Sequence, residues 1–373
     1  MTDLRNRLLS LAFLLPLLLA ACGSDQAESN LDDASDSATT AEPADADTTE
    51  PANAESEADE ESGTEEASAD QSGDEAGQEA GDEATDSADD GRTIVALDEQ
   101  AAYSLLSLDV RPDVVLTTLS SETFARLNEQ LGIEAVQFVI ADPSFEVLAG
   151  LEPDLFVSIG SPWVVDRLAE YEQIAPVVLA PVDRTWQEQL TTFAAELAVD
   201  ARADAVIGAV DDYQAVTAAA LAEAGADGTT VSVLTARVGN LVAVNSGGAT
   251  GELLIEVGLD RPAPQLSEGA PGIPFDFISE EVLPEHNADV LLLPSAAIFD
   301  ITPLTSSAIY EQLPVVEAGG AHEVVADAWV LGGHGFATFW LLQDLQDLLV
   351  DGGVPATLDQ TEDRWMTFLD LIE

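Results

Sequence analysis

The sequence predicts an α/β fold in which two Rossmann-like lobes are joined by a long helix. Three observations predict it. Short β-branched or aliphatic runs alternate with helical patterns from about residue 92 onward. An Ala-rich stretch without proline, over residues 186–225, interrupts this alternation and indicates almost continuous helix. Strand-like runs then resume and end in two helical patterns, which indicates a second lobe.

The chain begins with the layout of a secretory signal peptide over residues 1–21. Arg5 and Arg7 form its charged start, a leucine-rich run follows, and two alanines precede Cys22, the single cysteine. This junction resembles a bacterial lipobox, so we expect a lipidated Cys22 to tether the protein to the membrane outside the cytoplasm. That location is the outer face of the cytoplasmic membrane or the periplasm. The alternative is an ordinary cleaved signal whose cysteine is incidental.

Acidic residues dominate residues 22–91, which contain no Arg, Lys or aromatic residue. Such a segment cannot bury a core, and we expect a disordered linker between the anchor and the folded part. The whole chain carries a formal net charge of −60 and lacks lysine. This balance argues against nucleic acid as a partner and indicates a halophilic or salt-tolerant source. Because positive charge is so scarce, an Arg that faces a cleft becomes a candidate for anion recognition.

The predicted N-terminal lobe spans residues 92–198, a backbone helix covers 199–227, and the C-terminal lobe spans 228–373. Alternation of strands and helices predicts mostly parallel sheets, with a ligand cleft beyond the carboxyl ends of the strands. The expected strands are 93–97, 114–117, 136–140, 155–159, 177–180, 230–235, 241–245, 290–294 and 324–326, and the main helices besides the backbone are 100–108, 124–131, 336–349 and 359–372.

Several segments, in order, resemble the helical-backbone substrate-binding proteins of iron-siderophore and cobalamin ABC importers. They include Arg92-Thr-Ile-Val-Ala-Leu-Asp-Glu, the segment from Pro143 to Leu155 with its Glu-Pro-Asp-Leu, Ala236-Arg237, Ile278-Ser-Glu-Glu-Val-Leu and Ala328-Trp329. The resemblance covers residues 92–373 and is closer to the iron-complex branch. It implies a monomer that captures a ferric siderophore and delivers it to an ABC permease, without chemistry, cofactor or bound metal of its own.

The resemblance and the strand-end rule together suggest ligand-binding residues. Arg237 matches the position of a ligand-binding arginine in the family, and a surface ion pair is its alternative role. Trp163 and Ser161 follow a predicted strand, where Trp163 would stack on the ligand or pack in the lobe core. Trp329 matches an aromatic residue that borders the cleft. Phe299 and His334 complete the candidate set, and a helix-entry position is the alternative for His334.

The resemblance also assigns permease docking to one glutamate on each lobe. Glu146 matches on the N-terminal lobe and Glu281 on the C-terminal lobe, with Glu280 as a close competitor. Ordinary solvated carboxylates are the alternative on such an acidic surface.

Enzyme functions find little support in the sequence. The only histidines, His286, His322 and His334, are far apart, and no metal-binding spacing occurs. An α/β hydrolase is a distant alternative, because Gly160-Ser161 lacks the second glycine of a nucleophile turn. The sequence is also compatible with a cobamide or haem carrier of the same fold and with a cell-surface interaction module. The siderophore class, hydroxamate, catecholate or citrate, stays open.

Overall fold

Two five-stranded sheets form the frame of the protein in this computed structural model. The structure describes residues 91–118, 121–138, 144–269 and 273–373, which belong to one unit that begins at Ala80. The predicted export signal, Cys22 and the acidic linker lie outside the described residues. No helix in the described ranges is long and apolar enough to cross a membrane.

The N-terminal lobe contains a parallel sheet in the order β3-β2-β1-β4-β5. Its central strand, β1, is completely buried, which fits its apolar Ile-Val-Ala sequence. Each of the five predicted strands is confirmed within a few residues. The observed strands are β1 Ile94–Ala96, β2 Val114–Thr118, β3 Glu134–Phe138, β4 Leu155–Ser158 and β5 Val177–Leu179.

The C-terminal lobe contains a mixed sheet in the order β10-β9-β6-β7-β8. The pairs β6 with β9 and β9 with β10 are parallel, whereas β6, β7 and β8 form an antiparallel meander. The sequence analysis missed β8 and the antiparallel half of this sheet. The strands are β6 Val231–Arg237, β7 Asn240–Val244, β8 Phe275–Phe277, β9 Val290–Ser295 and β10 Ala321–Val325.

Thirteen α-helices are found in the described ranges, with short 3₁₀ turns and one π turn between some of them. In the N-terminal lobe they are α1 Glu99–Ser107, α2 Glu122–Leu131, α3 Phe145–Gly150, α4 Pro162–Asp166 and α5 Leu168–Tyr171. Between the sheets lie α6 Trp186–Leu197 and α7 Asp200–Ala224. The rest are α8 Ala249–Glu256, α9 Thr302–Thr305, α10 Pro314–Glu317, α11 Ala326–Trp329, α12 Gly335–Leu345 and α13 Thr361–Ile372.

The almost continuous helix predicted over residues 186–225 consists of two helices, α6 and α7, and α7 occupies most of the predicted backbone helix 199–227. Ala198 adopts a left-handed φ of 57°, and its N–H bonds to the carbonyl of Ala194 and ends α6. A new helix of 25 residues then runs from Asp200 to Ala224. Its C-cap residue, Gly225, also adopts the left-handed conformation, with a φ of 78°. This helix, α7, connects the two sheets along the chain, as the fold class predicted.

After β10 the chain returns from the C-terminal sheet to the helices of the N-terminal lobe. Asp327 of α11 accepts hydrogen bonds from Thr123 of α2, and the side chain of Gln100 donates to the carbonyl of Leu331. The ring of His334 stacks on Tyr103 of α1, with 4.4 Å between ring centroids. The lobes are therefore joined by buried contacts as well as by α7, which favours a stiff frame.

Candidate functional site

The carboxyl ends of the parallel strands mark the edge of each sheet where a ligand would bind. In the C-terminal lobe, β6 ends at Arg237 and β8 ends at Phe277. Because β7 runs antiparallel to both strands, β6 and β8 end at the same edge. The missed strand β8 therefore brings an aromatic side chain to the edge that carries the predicted arginine.

Arg237 is exposed at this edge and lies against an aromatic pair. Its guanidinium carbon is 5.5 Å from the ring centroid of Phe275, within the range of a cation–π contact. Phe277 contacts Phe275 edge to face, with 5.8 Å between centroids, and is 57% exposed. Within the ranges that the structure describes, no carboxylate forms an ion pair with Arg237. We call Arg237, Phe275 and Phe277 the rim cluster.

In the N-terminal lobe, Asp98 ties the ends of β1 and β4 together. Its carboxylate caps α1 through Ala101 N–H at 2.8 Å and accepts from the Ser158 hydroxyl at 2.7 Å and Ile159 N–H at 3.1 Å. Burial raises the pKa of Asp98 to about 6, although these hydrogen bonds favour the ionised form. The bonds fix the turn that leads from β4 into α4.

Ser161 and Trp163 follow this turn, as predicted from the end of β4. Gly160 has a φ of 76°, and a Cβ there would lie 3.2 Å from the carbonyl oxygen of Ala180, so the position requires glycine. Ser161 is buried and its carbonyl starts α4. Trp163 is half-buried and packs against the core cluster of the N-terminal lobe. Its exposed part leaves a role in ligand contact open, while its buried part serves the lobe core.

The positions of Trp329 and Phe299 in the structure contradict the prediction that these residues line a cleft. Trp329 is completely buried, and its indole N–H donates to Asp344 at 2.9 Å. Phe299 is 1% exposed, because backbone hydrogen bonds in both directions with Ala296 fold it back into the core after β9. Both aromatic residues therefore stabilise the interior, and neither offers a surface to a ligand.

His334 takes the helix-entry position that was its alternative role, and the structure gives no support to its ligand-binding role. It is the N-cap of α12, where Nδ1 accepts from Ala337 N–H at 3.2 Å. The ring is buried between Tyr103 and the helix start, and burial lowers the pKa of His334 to about 3. The imidazole is thus neutral at ordinary pH and acts as a packed cap.

The docking candidates lie on exposed parts of both lobes. Glu146 is exposed in the first turn of α3, next to Val147, which is 49% exposed. Glu280 and Glu281 begin the 3₁₀ turn after β8. The carboxylate of Glu280 accepts a hydrogen bond from Ser307, whereas hydrogen bonds from its own N–H and from Ser279 lower the pKa of Glu281. Both residues are exposed, and each carboxylate accepts a hydrogen bond from a nearby serine.

A groove of about 540 Å³ lies at the opposite end of the C-terminal lobe. Its lining residues precede β9 and β10, so they lie at the amino ends of these strands, far from the rim cluster. They are Pro284, Asn287, Ile309, Gln312, Leu313 and Pro314. The groove is therefore not part of the candidate ligand site.

Phe275 and Phe277 were missed by the sequence analysis, and a local signal for them exists. Phe275-Asp-Phe277 alternates apolar and polar residues with the period of a strand, directly after Pro274. A run of three residues is too short to predict a strand. Only the pairing of β8 with β7 shows that β8 ends at the sheet edge that carries Arg237.

The site offers a cation and aromatic faces to a ligand. Within the described ranges, no group of three or more His, Cys, Asp or Glu side chains is placed to hold a metal ion. Two α/β lobes, a connecting helix and a cation beside aromatic residues at the strand ends are the features of a solute-binding protein.

The chain belongs to the periplasmic binding protein family, whose model matches residues 94–300. It is 25% identical over 270 residues to the probable siderophore-binding lipoprotein YfiY of Bacillus subtilis, covering 68% of this chain and 81% of that protein. The fold is similar to that of FhuD2 from Staphylococcus aureus with bound ferrioxamine B, with a TM-score of 0.57 and 17% identity over 69% of this chain and 98% of that one. SirA from Staphylococcus aureus, complexed with staphyloferrin B, gives a TM-score of 0.56 and 22% identity over 68% and 91%.

Proposed function

We propose that this protein captures a ferric siderophore outside the cytoplasm and delivers it to an ABC importer. The observation that carries the proposal is the rim cluster. The Arg237 guanidinium lies over the ring of Phe275, which contacts Phe277, and has no carboxylate partner in the described part. Iron chelates present oxygen atoms with negative charge and a bulky organic shell. A guanidinium donates to such oxygens, and aromatic faces contact the shell.

The strongly negative charge of the whole chain strengthens the argument that Arg237 binds a ligand. At a net charge of −60 with eleven Arg and no Lys, most guanidinium groups would be expected to meet a carboxylate. Several do, including Arg126 with Asp359 at 2.7 Å and Arg202 with Asp109 at 2.8 Å. Arg237 instead remains available at the strand ends, which supports a role in binding an oxygen-rich ligand.

The proposed carrier is a lipoprotein anchored through Cys22, with the acidic segment as its tether. The lipobox-like Leu19-Ala-Ala-Cys22 supports this, as does the name of the Bacillus relative, a lipoprotein. Mass spectrometry of the membrane fraction should find diacylglycerol on Cys22, and Cys22→Ser should release the protein. Secretion of unmodified wild-type protein would contradict the anchor.

The ligand is tested by tryptophan fluorescence of the full chain in high salt. Ferric hydroxamate, ferric catecholate, ferric citrate, haem and cobalamin are titrated separately, with iron-free siderophores as matched controls. Saturable quenching by one ferric class, absent for haem and cobalamin, is the expected result. Saturable binding of haem or cobalamin alone would assign the protein to a different ligand of the same fold, and no response to any probe would overturn the proposal.

The proposed delivery step uses exposed glutamates of both lobes that would pair with basic residues of the permease. Glu146 and Glu281 are the candidates, with Glu280 as the competitor on the C-terminal lobe. A single exposed ion pair contributes about 1 kcal/mol or less, so docking needs both lobes at once. We expect the protein to act as a monomer with one site on each lobe.

A further inference from the structure

Val238 has an unusual backbone conformation at the tip of the β6–β7 hairpin. The turn consists of Val238 and Gly239, with φ values of 50° and 79°, between the paired residues Arg237 and Asn240. Two consecutive positive φ angles are the pattern of a type I′ turn, which strongly prefers Asn-Gly. A β-branched residue is a genuine outlier in this region, because its side chain clashes with the backbone.

The fold gains little from this valine. Its side chain is 83% exposed, the largest exposed fraction among the big apolar residues of the described ranges. The other non-glycine residues with positive φ there are Asp109, Glu152 and Ala198, none of them β-branched. Val238 therefore combines strain with exposed apolar surface, and neither property stabilises the folded chain.

The position of Val238 indicates what the side chain is for. It directly follows Arg237 at the carboxyl end of β6, the same edge at which β8 brings the exposed ring of Phe277. The edge thus presents a guanidinium, an aromatic ring and an aliphatic group together. A ligand with charged oxygens and a hydrocarbon shell would contact all three kinds of surface.

We propose that Val238 is a ligand-binding residue that contacts the aliphatic part of the organic shell of the bound iron chelate. The inference rests on the proposed function, because it needs an iron chelate in the site. The strained turn holds the isopropyl group out in solvent beside Arg237, where the ligand covers it. Asn at this position would relax the hairpin but would lose the apolar contact.

Three variants of the full chain separate the contact from the strain. Val238→Thr keeps the shape and the β-branch but replaces a methyl group by a hydroxyl. Val238→Asn removes both the strain and the apolar group. Ala198→Asn is the matched control, because Ala198 is also exposed with a φ of 57° but lies at the end of α6. Each is titrated with the ferric complex that the wild-type chain binds, and each is melted in the same buffer.

Loss of one buried methyl contact should weaken binding by Val238→Thr about fourfold, with little change in melting temperature. Val238→Asn should bind at least as weakly yet melt roughly 2–4 °C higher than the wild type. Ala198→Asn should also gain thermal stability but bind normally. The inference is supported if Val238→Asn lowers the affinity while it raises the melting temperature, and Ala198→Asn raises the melting temperature only.

Equal affinities of the wild type and Val238→Thr would overturn the inference and leave the proposed function intact. If iron uptake by cells fell while these affinities stayed equal, Val238 would be a permease contact, and the inference would again be wrong. A Val238→Asn protein that melts no higher than the wild type would remove the strain argument. A wild-type chain that binds no ferric complex would overturn both the inference and the proposed function.

Discussion

Asp327 of the C-terminal lobe accepts two hydrogen bonds of 2.7 Å from Thr123 of the N-terminal lobe, one from its backbone N–H and one from its hydroxyl. The two residues are 204 positions apart in the chain. The N-cap residue of α2, Ser121, makes no side-chain hydrogen bond to the helix. Asp327 takes over this capping role by accepting the Thr123 N–H in the first turn. The helix start of one lobe is thus held by a carboxylate from the other.

Removal of the hydroxyl in Thr123→Val should destabilise the protein by about 1–3 kcal/mol. Burial raises the pKa of Asp327 to about 6. Its Oδ1 has no hydrogen-bond partner within the described ranges, so the hydrogen bonds of this carboxylate are the two that Thr123 donates to Oδ2. Chemical denaturation in high salt measures the effect. Thr191→Val is the control, because its exposed hydroxyl bonds only to a helix carbonyl. Equal losses in the two variants would contradict an inter-lobe role.

Acidification should stabilise the protein through Asp98. Its folded-state pKa of about 6 exceeds the ordinary 3.8, so the folded state binds the proton more tightly than the unfolded state. The resulting stability is complete below the unfolded pKa and is lost as the pH rises through about 6, at about 1.4 kcal/mol per pH unit. Denaturation at several pH values between 4 and 7 measures this slope.

Asp98→Asn should lower stability at all pH values, because it weakens the cap of α1. It should also remove the Asp98 share of the pH dependence, while burial of Asp327 and Asp344, which raises the pKa of each to about 6, maintains the rest. Asp113→Asn is the control, since the Asp113 carboxylate also accepts a backbone N–H, from Ile94, at the edge of the lobe. It controls for the replacement of a hydrogen-bonded carboxylate by an amide. An Asp98→Asn protein with an unchanged slope would show that other groups cause the pH dependence.

Local patterns in the sequence predicted the strands and the long helix, because hydrophobic periodicity reflects burial of each element on its own. They could not predict which aromatic residues face a ligand. Trp329 and Phe299 follow strand ends, as Trp163 does, but Trp329 finds Asp344 on α12 and Phe299 folds back onto Ala296. These partners depend on packing that periodicity does not encode. Phe277 was missed for the same reason, since only pairing with β7 places it at the sheet edge that carries Arg237.

Arg237→Ala should weaken binding of the ferric ligand about 10- to 100-fold and leave stability unchanged. The exposed guanidinium stabilises little in the folded chain, but the ligand oxygens would lose charge-assisted hydrogen bonds. Fluorescence titration and thermal melting give both quantities. Arg111→Ala is the control, because Arg111 is also exposed and its side chain bonds to the carbonyl of Gly132. Equal affinity in both variants would remove Arg237 from the site.

Charge reversal at the docking glutamates should impair uptake without affecting capture. Uptake of radioactive iron is measured in cells in which each variant replaces the wild-type protein, and ligand affinity is measured on the purified chain. Glu146→Arg and Glu281→Arg should each reduce uptake at least tenfold at unchanged affinity, because arginine would meet basic groups of the permease. Glu285→Arg is the control, since Glu285 is exposed in the same 3₁₀ turn as Glu281 but nearer the amino end of β9.

The choice between Glu280 and Glu281 is tested by a neutral variant in the same uptake assay. Glu280→Gln should keep most uptake but lose about 1 kcal/mol of stability, because its carboxylate accepts from Ser307. If Glu280→Gln abolished uptake while Glu281→Arg did not, Glu280 would be the docking residue, and its contact with Ser307 would serve to orient it.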